Sequence, residues 1–159
     1  MPQTSGLGHV GIYVNDIHKM REFYTKVIGL KIGDEDLDGR GICFLSSDPV
    51  AEHHEFVLMK GRSSDQDTQL IQQMSFKVSS IQDLREFKQI IEDEQLRIDR
   101  IVSHGNAFGM YFFDPEGNRV ELYYRTGFPV PQPHGDPLDL SRSDEELISD
   151  ARELLYSKR

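Results

Sequence analysis

Four side chains in this sequence carry donor atoms suited to a divalent metal: His9, Glu55, Gln73 and Glu121. Imidazole and carboxylate ligands with coordination positions left open form the arrangement in which iron or manganese binds a substrate and oxygen together. Taken singly, a histidine at a strand start caps or packs there, and a glutamate pairs with a neighbouring base. What lifts these four above that reading is their place in a repeat.

The stretch His9-Val10-Gly11-Ile12-Tyr13-Val14 is rich in β-branched residues and predicts a strand, after which Asn15-Asp16 opens a helix. Ile17, Met20, Phe23, Tyr24, Val27 and Ile28 follow at the i, i+3, i+4, i+7 spacing of an amphipathic helix, and Gly29 ends it. Three short strands are expected next, around Leu30 to Gly33, Gly41 to Ser46 and His54 to Lys60, with Asp48-Pro49 making the last turn. The same order then returns. A strand is predicted from Gln73 to Val78, a helix from Ile81 to Glu94, and strands near Arg97 to Val102, Phe108 to Phe113 and Asn118 to Tyr124. Residues 9 to 23 match 73 to 87 without a gap, pairing Val14 with Val78, Ile17 with Ile81, and Arg21-Glu22-Phe23 with Arg85-Glu86-Phe87. Asp48-Pro49 falls opposite Asp114-Pro115, and Glu55 opposite Glu121. Matches in one order along two whole modules indicate an internal duplication.

The expected fold is therefore α+β: two tandem βαβββ modules, residues 7–61 and 69–125, forming a cupped mixed sheet within a 7–125 domain. Each module supplies a four-stranded sheet with one helix on one face, and pairing two such sheets covers the other face while leaving a cleft. His9 and Gln73 open the first strand of their modules and Glu55 and Glu121 lie in the last, so the duplication predicts that the four converge.

Composition narrows the partners. A formal net charge of -9 repels phosphate backbones, and no local basic patch offsets it, so neither nucleic acid nor an anionic membrane is an expected partner. The single cysteine, Cys43, excludes an intramolecular disulfide and sits in an apolar run, where it reads as a small buried hydrophobe. No apolar stretch is long enough to span a bilayer and Met1 to Gly8 lacks a signal-peptide pattern, so a cytoplasmic location is expected.

The residues also carry a family resemblance. Leu7-Gly8-His9-Val10, the tandem His53-His54, Ser103-His104-Gly105-Asn106, and Met110-Tyr111-Phe112-Phe113-Asp114-Pro115-Glu116-Gly117-Asn118-Arg119-Val120-Glu121 resemble the vicinal oxygen chelate superfamily, which includes glyoxalase I, bleomycin- and fosfomycin-resistance proteins and extradiol dioxygenases. Within it the chain looks most like the single-domain type I extradiol ring-cleavage dioxygenases. The resemblance implies His9 and Glu121 as metal ligands, His54 as the acid and base near bound oxygen, and His104 and Tyr111 as contacts to a small catecholic substrate that reacts with dioxygen. It implies Fe(II), with Mn(II), Ni(II) and Zn(II) as alternatives, and a homodimer. A histidine with a near-neutral pKa suits removal and later return of a catechol proton.

One departure bears on the activity. The third ligand should be histidine, and this chain has Gln73 there. His9, Glu55, Gln73 and Glu121 together also resemble the four-ligand set of glyoxalase I, a metal-dependent isomerase, and a metal-free protein that sequesters a small molecule is a third possibility. Strand alternation separates the first two, because Glu55 and His54 must face opposite ways: Glu55 turned into the cup favours the isomerase, His54 the dioxygenase.

Beyond the modules, Pro129, Pro131, Pro133 and Pro137 predict an extended strap from Thr126 to Leu140 without regular hydrogen bonding. Ser143 and Glu146 form a capping-box pattern ahead of Leu147, Ile148, Ala151, Leu154 and Leu155, so residues 126–159 comprise the strap and a C-terminal helix. Its apolar stripe must pack either on its own body or on a second subunit.

Overall fold

The structure, a computed structural model, describes residues 8–62, 71–131 and 133–156. Leu7 of the first motif and the expected module starts at 7 and 69 lie outside the described residues. The chain divides into two compact units, 1–69 and 70–159.

Unit 1 runs β1 (Val10–Val14), α1 (Ile17–Lys26), β2 (Lys31–Asp36), β3 (Ile42–Ser46) and β4 (Phe56–Lys60). Its sheet has the order β1-β4-β3-β2, with β1 parallel to β4 and the other pairs antiparallel. Asp16 caps α1 by accepting a hydrogen bond from the Lys19 amide at 3.0 Å, which satisfies one of the free donors of the first turn. Gly29, at φ 83°, turns the chain out of the helix in a conformation that costs other residues a steric clash. Ile17, Met20, Phe23 and Tyr24 are buried, and the Tyr24 ring lies 4.7 Å from that of Phe56. Register places Ile12, Val14, Cys43, Leu45, Phe56 and Leu58 on that same helix-covered face, all nearly inaccessible. Each such side chain contributes roughly 1.5–3 kcal/mol by leaving water. Gly11, Tyr13, Phe44 and Val57 therefore belong to the helix-free face.

Unit 2 repeats this plan with β5 (Met74–Lys77), α2 (Ile81–Asp93), β6 (Ile98–Ser103), β7 (Ala107–Phe113) and β8 (Arg119–Arg125). Its sheet order is β5-β8-β7-β6-β9, the added β9 being Asp136–Pro137. Both sheets carry a bulge in their second strand, at Gly33 in β2 and at Asp99 in β6. Phe108, Met110, Phe112, Val120 and Leu122 form the fully buried rows packed by α2, whose Ile81, Leu84 and Ile91 are also buried. The shared strand order and shared bulge accord with the internal duplication.

One expectation about the C-terminal region changes. The strap does make sheet hydrogen bonds: β9 pairs antiparallel with Val102 and Ser103, because a proline can occupy an edge strand where no ladder donor is needed. The C-terminal helix α3 (Asp144–Glu153) keeps its predicted capping box, with the Ser143 hydroxyl accepting from the Glu146 amide. Leu147 and Ala151 of its stripe are 1% exposed, whereas Ile148, Leu154 and Leu155 are only half-buried. Arg85 of α2 fastens it, donating to the carbonyls of Leu140 and Arg142 at 2.8 Å each and pairing with Asp144 at 2.7 Å. Among the described residues no helix is long and apolar enough to cross a membrane.

Candidate functional site

In unit 1 the site residues gather at the entrance to β1 and β4. His9 immediately precedes β1. Its ring lies 4.4 Å from that of His54, which in turn rests 5.0 Å from Phe44. The Nδ1 atoms of His53 and His54 are 2.9 Å apart, a distance at which one nitrogen carries the hydrogen and the other accepts it. Gly33 makes room for this arrangement: a Cβ there would sit 2.3 Å from the His53 carbonyl oxygen, so the β2 bulge needs a residue without one.

Glu55 points elsewhere. Its carboxylate accepts from the Ser47 hydroxyl at 2.6 Å, the Ser47 amide at 2.7 Å and the Ser46 hydroxyl at 3.3 Å. The Ser47 hydroxyl, then its amide, hold the Glu55 carboxyl below the ordinary glutamate range. Thus His54, not Glu55, joins His9. Strand alternation does not decide between them, because β4 begins only at Phe56 and residues 54 and 55 lie in the preceding loop.

In unit 2 the residues form one hydrogen-bonded run on the helix-free face. Tyr111 of β7 and Glu121 of β8 are direct register partners, and Ser75 of β5 is the partner of Glu121 on its other side. The Glu121 carboxylate, 8% exposed, accepts from the Gln73 amide at 2.9 Å and from the Ser75 hydroxyl. The Tyr111 hydroxyl is 2.8 Å from His104 Nε2, and His104 Nδ1 is 2.6 Å from the main-chain carbonyl of His134. Burial first, and then the adjacent Glu121, push the Tyr111 phenol well above its usual pKa, so it stays protonated at neutral pH. The guanidinium carbons of Arg100 and Arg119 lie 4.8 and 5.1 Å from the Tyr111 ring centroid and oppose that shift without cancelling it. Gly109 opens the space for the carboxylate, since a Cβ at that position would be 2.8 Å from Glu121 Oε1.

Each predicted site residue is thus placed: His9 with His54 in unit 1, and Gln73, Glu121, Tyr111 and His104 together in unit 2. Ser75, Gly109, Arg100, Arg119 and the His134 carbonyl were not anticipated. Period-two alternation could have found three of them, because Ser75 follows Gln73 by two, Arg119 precedes Glu121 by two, and Gly109 precedes Tyr111 by two.

The donor chemistry fits a hard or borderline divalent ion. Glu121 brings a charged oxygen, and Gln73 brings an amide oxygen once its side chain turns over in place, so that oxygen replaces the nitrogen now facing Glu121. Among the described residues no three His, Cys, Asp or Glu side chains gather into a metal cluster, and the predicted ligand set holds only two such residues beside its glutamine.

Comparison with known proteins agrees with the fold. Biphenyl-2,3-diol 1,2-dioxygenase 2 and biphenyl-2,3-diol 1,2-dioxygenase 3 of Rhodococcus globerulus are 24% and 28% identical over 126 and 127 residues, in each case 77% of this chain. The chain spans only 64% of the length of either relative. A fosfomycin resistance protein, FosX, from Listeria monocytogenes, complexed with Mn(II) and 1S,2S-dihydroxypropylphosphonic acid, superposes with a TM-score of 0.61 at 19% identity, over 76% of this chain and 90% of that one. At that identity the likeness concerns the fold alone. A family model matches residues 6–122, well over half the sequence, and the chain belongs to the Glyoxalase/Bleomycin resistance protein/Dioxygenase superfamily.

Proposed function

We propose that this chain is a metal-dependent, extradiol-type ring-cleavage dioxygenase that acts on a catechol-like aromatic and dioxygen. The observation that carries the reading is the run Gln73–Glu121–Tyr111–His104, where a carboxylate is bordered by a protonated phenol and an imidazole. His9, Gln73 and Glu121 are the proposed ligands, with Fe(II) the first choice and Mn(II) the second. A bound Fe(II) supplies the redox chemistry and brings catechol and oxygen to one place.

The chain's own residues supply the proton handling. Tyr111 and His104 present a phenol and an imidazole in hydrogen-bond contact, suited to meeting one catechol hydroxyl at the Tyr111 oxygen while His104 holds the phenol in a fixed orientation. With its Nδ1 donating the hydrogen it shares with His53, His54 has an Nε2 lone pair to accept a catechol proton and to return it after the ring opens. Phe44 gives this imidazole an apolar flank, which strengthens its polar contacts by keeping water from one side. The engagement of Glu55 by Ser46 and Ser47 supports this reading over the glyoxalase-like one, which needs that carboxylate as a ligand.

The test is anaerobic loading with Fe(II), Mn(II), Ni(II) or Zn(II) in separate samples, followed by air and a panel of catechols, with ring opening read as a yellow product. Fe(II) or Mn(II) samples should turn yellow, and Glu121→Ala should not. Gln73→His should tighten iron binding, since imidazole is the better donor. Absence of product with every metal, together with no retained metal, would overturn the proposal in favour of a metal-free binding protein.

A further inference from the structure

We infer that the C-terminal strap is a positioning element of the unit 2 site, its His134 main-chain carbonyl fixing the His104 imidazole in the Nδ1–H tautomer with Nε2 turned to Tyr111. This strap lies beyond the span of the family model, which ends at residue 122. The inference rests on the dioxygenase reading only for what His104 and Tyr111 then touch.

Proton accounting carries it. A carbonyl oxygen can only accept, so at 2.6 Å from the His134 oxygen His104 Nδ1 must hold a hydrogen. In the neutral ring Nε2 is then a lone pair, and at 2.8 Å its partner must donate; the Tyr111 hydroxyl is the group placed to do so. The Glu121 carboxylate is also within hydrogen-bond reach of the Tyr111 hydroxyl, so it is the His134 carbonyl, an acceptor in every case, that fixes the hydrogen on Nδ1. The phenol oxygen is left with lone pairs and the imidazole with one orientation.

The strap is built to hold that carbonyl in place. The Thr126 hydroxyl donates to the Gly105 carbonyl at 2.6 Å and the Thr126 amide to the Asn106 carbonyl at 3.1 Å. Val130, 5% exposed, lies on Gly105, where a Cβ would sit 2.7 to 2.8 Å from three Val130 atoms and the φ of 74° independently favours glycine. Past His134, β9 pairs with Val102 and Ser103, and the Leu138 amide donates to Ile101 at 3.1 Å. The strap is therefore tied to the His104 loop on both sides of the carbonyl that meets the ring.

The experiment uses the full chain, labelled with nitrogen-15, at about pH 8.5, two units above the usual histidine value of about 6.5. Long-range proton–nitrogen correlation reads the His104 ring, assigned by its loss in His104→Gln. A protonated Nδ1 with a bare Nε2 is expected, and an Nε2–H ring, neutral or cationic, overturns the inference. Val130→Asp, checked for fold by circular dichroism, should lift the strap and admit the Nε2–H tautomer, whereas Val50→Asp at a fully exposed loop position should not. A folded Val130→Asp with an unchanged tautomer also overturns it. In the metal-loaded protein Val130→Asp should lower kcat by about tenfold or more with metal binding retained, the scale expected of a misplaced contact. The expected tautomer in a protein that opens no ring would keep this inference and sink the dioxygenase reading, so the two fail separately.

Discussion

Replacing Gly109 by alanine should disturb the site without touching any group that does chemistry. The added Cβ would lie 2.8 Å from Glu121 Oε1 and 3.2 Å from Tyr111 Cε2, both tighter than ordinary contact. Glu121 is 8% exposed and cannot swing freely into water, so relief comes from rotating the carboxylate away from Gln73 and Ser75. Losing a hydrogen bond to a charged group costs about 1.5–3 kcal/mol. Stiffening the unfolded chain by a Gly-to-Ala change returns about 0.4–1 kcal/mol. The net is a loss of about 1–2 kcal/mol, or a Tm fall of roughly 2–8 °C for a chain of this size. Gly11→Ala is the internal comparison, because its Cβ would meet only Val57, at 3.6 and 3.7 Å, and should leave stability unchanged or slightly raised. Thermal unfolding followed by circular dichroism measures both, and calorimetric titration with Mn(II) should show about tenfold or more weaker binding for Gly109→Ala alone. Equal Tm and equal Mn(II) affinity in the two variants would mean that Gly109 does not confine the Glu121 carboxylate.

Cys43 is 0% exposed, and burial followed by the nearby Glu35 pushes its thiol up to about 12, so iodoacetamide at about pH 8 should label it only in denaturant; rapid labelling of the native protein would contradict its burial. The phenol of Tyr111 has its folded pKa above its unfolded one, so the stability it contributes is complete below the usual value of about 10 and is lost as pH rises beyond it. Tyr111→Phe should therefore flatten the alkaline limb of a Tm-against-pH curve, and an unchanged limb would refute the assignment. Arg85→Met removes the donor shared by the Leu140 and Arg142 carbonyls and the partner of Asp144, at a cost of about 1–3 kcal/mol. Hydrogen exchange should accelerate in α3, and protection there equal to that of the parent protein would show that Arg85 does not fasten the helix.

The modules were legible because each element has a local cause. Ile17, Met20, Phe23 and Tyr24 recur at helical spacing and are buried as that spacing demands, and Asp16 and Ser80 cap their helices by accepting from Lys19 and Asp83 amides. The Asp-Pro turns follow from side-chain geometry as well: Asp114 accepts from the amides of Glu116 and Asn118, and Asp48 from that of Val50. Gly33 and Asp99 could not be read as bulges from sequence, because a bulge is set by the pairing of a strand with its neighbour.

The site was most legible inside strands and one residue beyond their ends, where Gln73 and His104 join Glu121 and Tyr111. Glu121 and Tyr111 face each other because β7 and β8 fix their register, and once both strands are known their contact follows. His54 and Glu55 lie just before β4, where no alternation governs them, and the choice between them is made by Ser46 and Ser47 capturing the carboxylate. Those serines were already beside the Asp48-Pro49 turn in the sequence, but nothing in a serine pair says which of two neighbouring side chains it will hold. The His134 carbonyl is harder still, since every residue carries one. Its importance comes from Val130 meeting a glycine at 105 and from β9 meeting β6, two long-range contacts that put one ordinary oxygen beside one imidazole. Where catalytic geometry depends on a main-chain atom, side-chain identity is silent, and the informative residues are the ones that anchor the segment on either side.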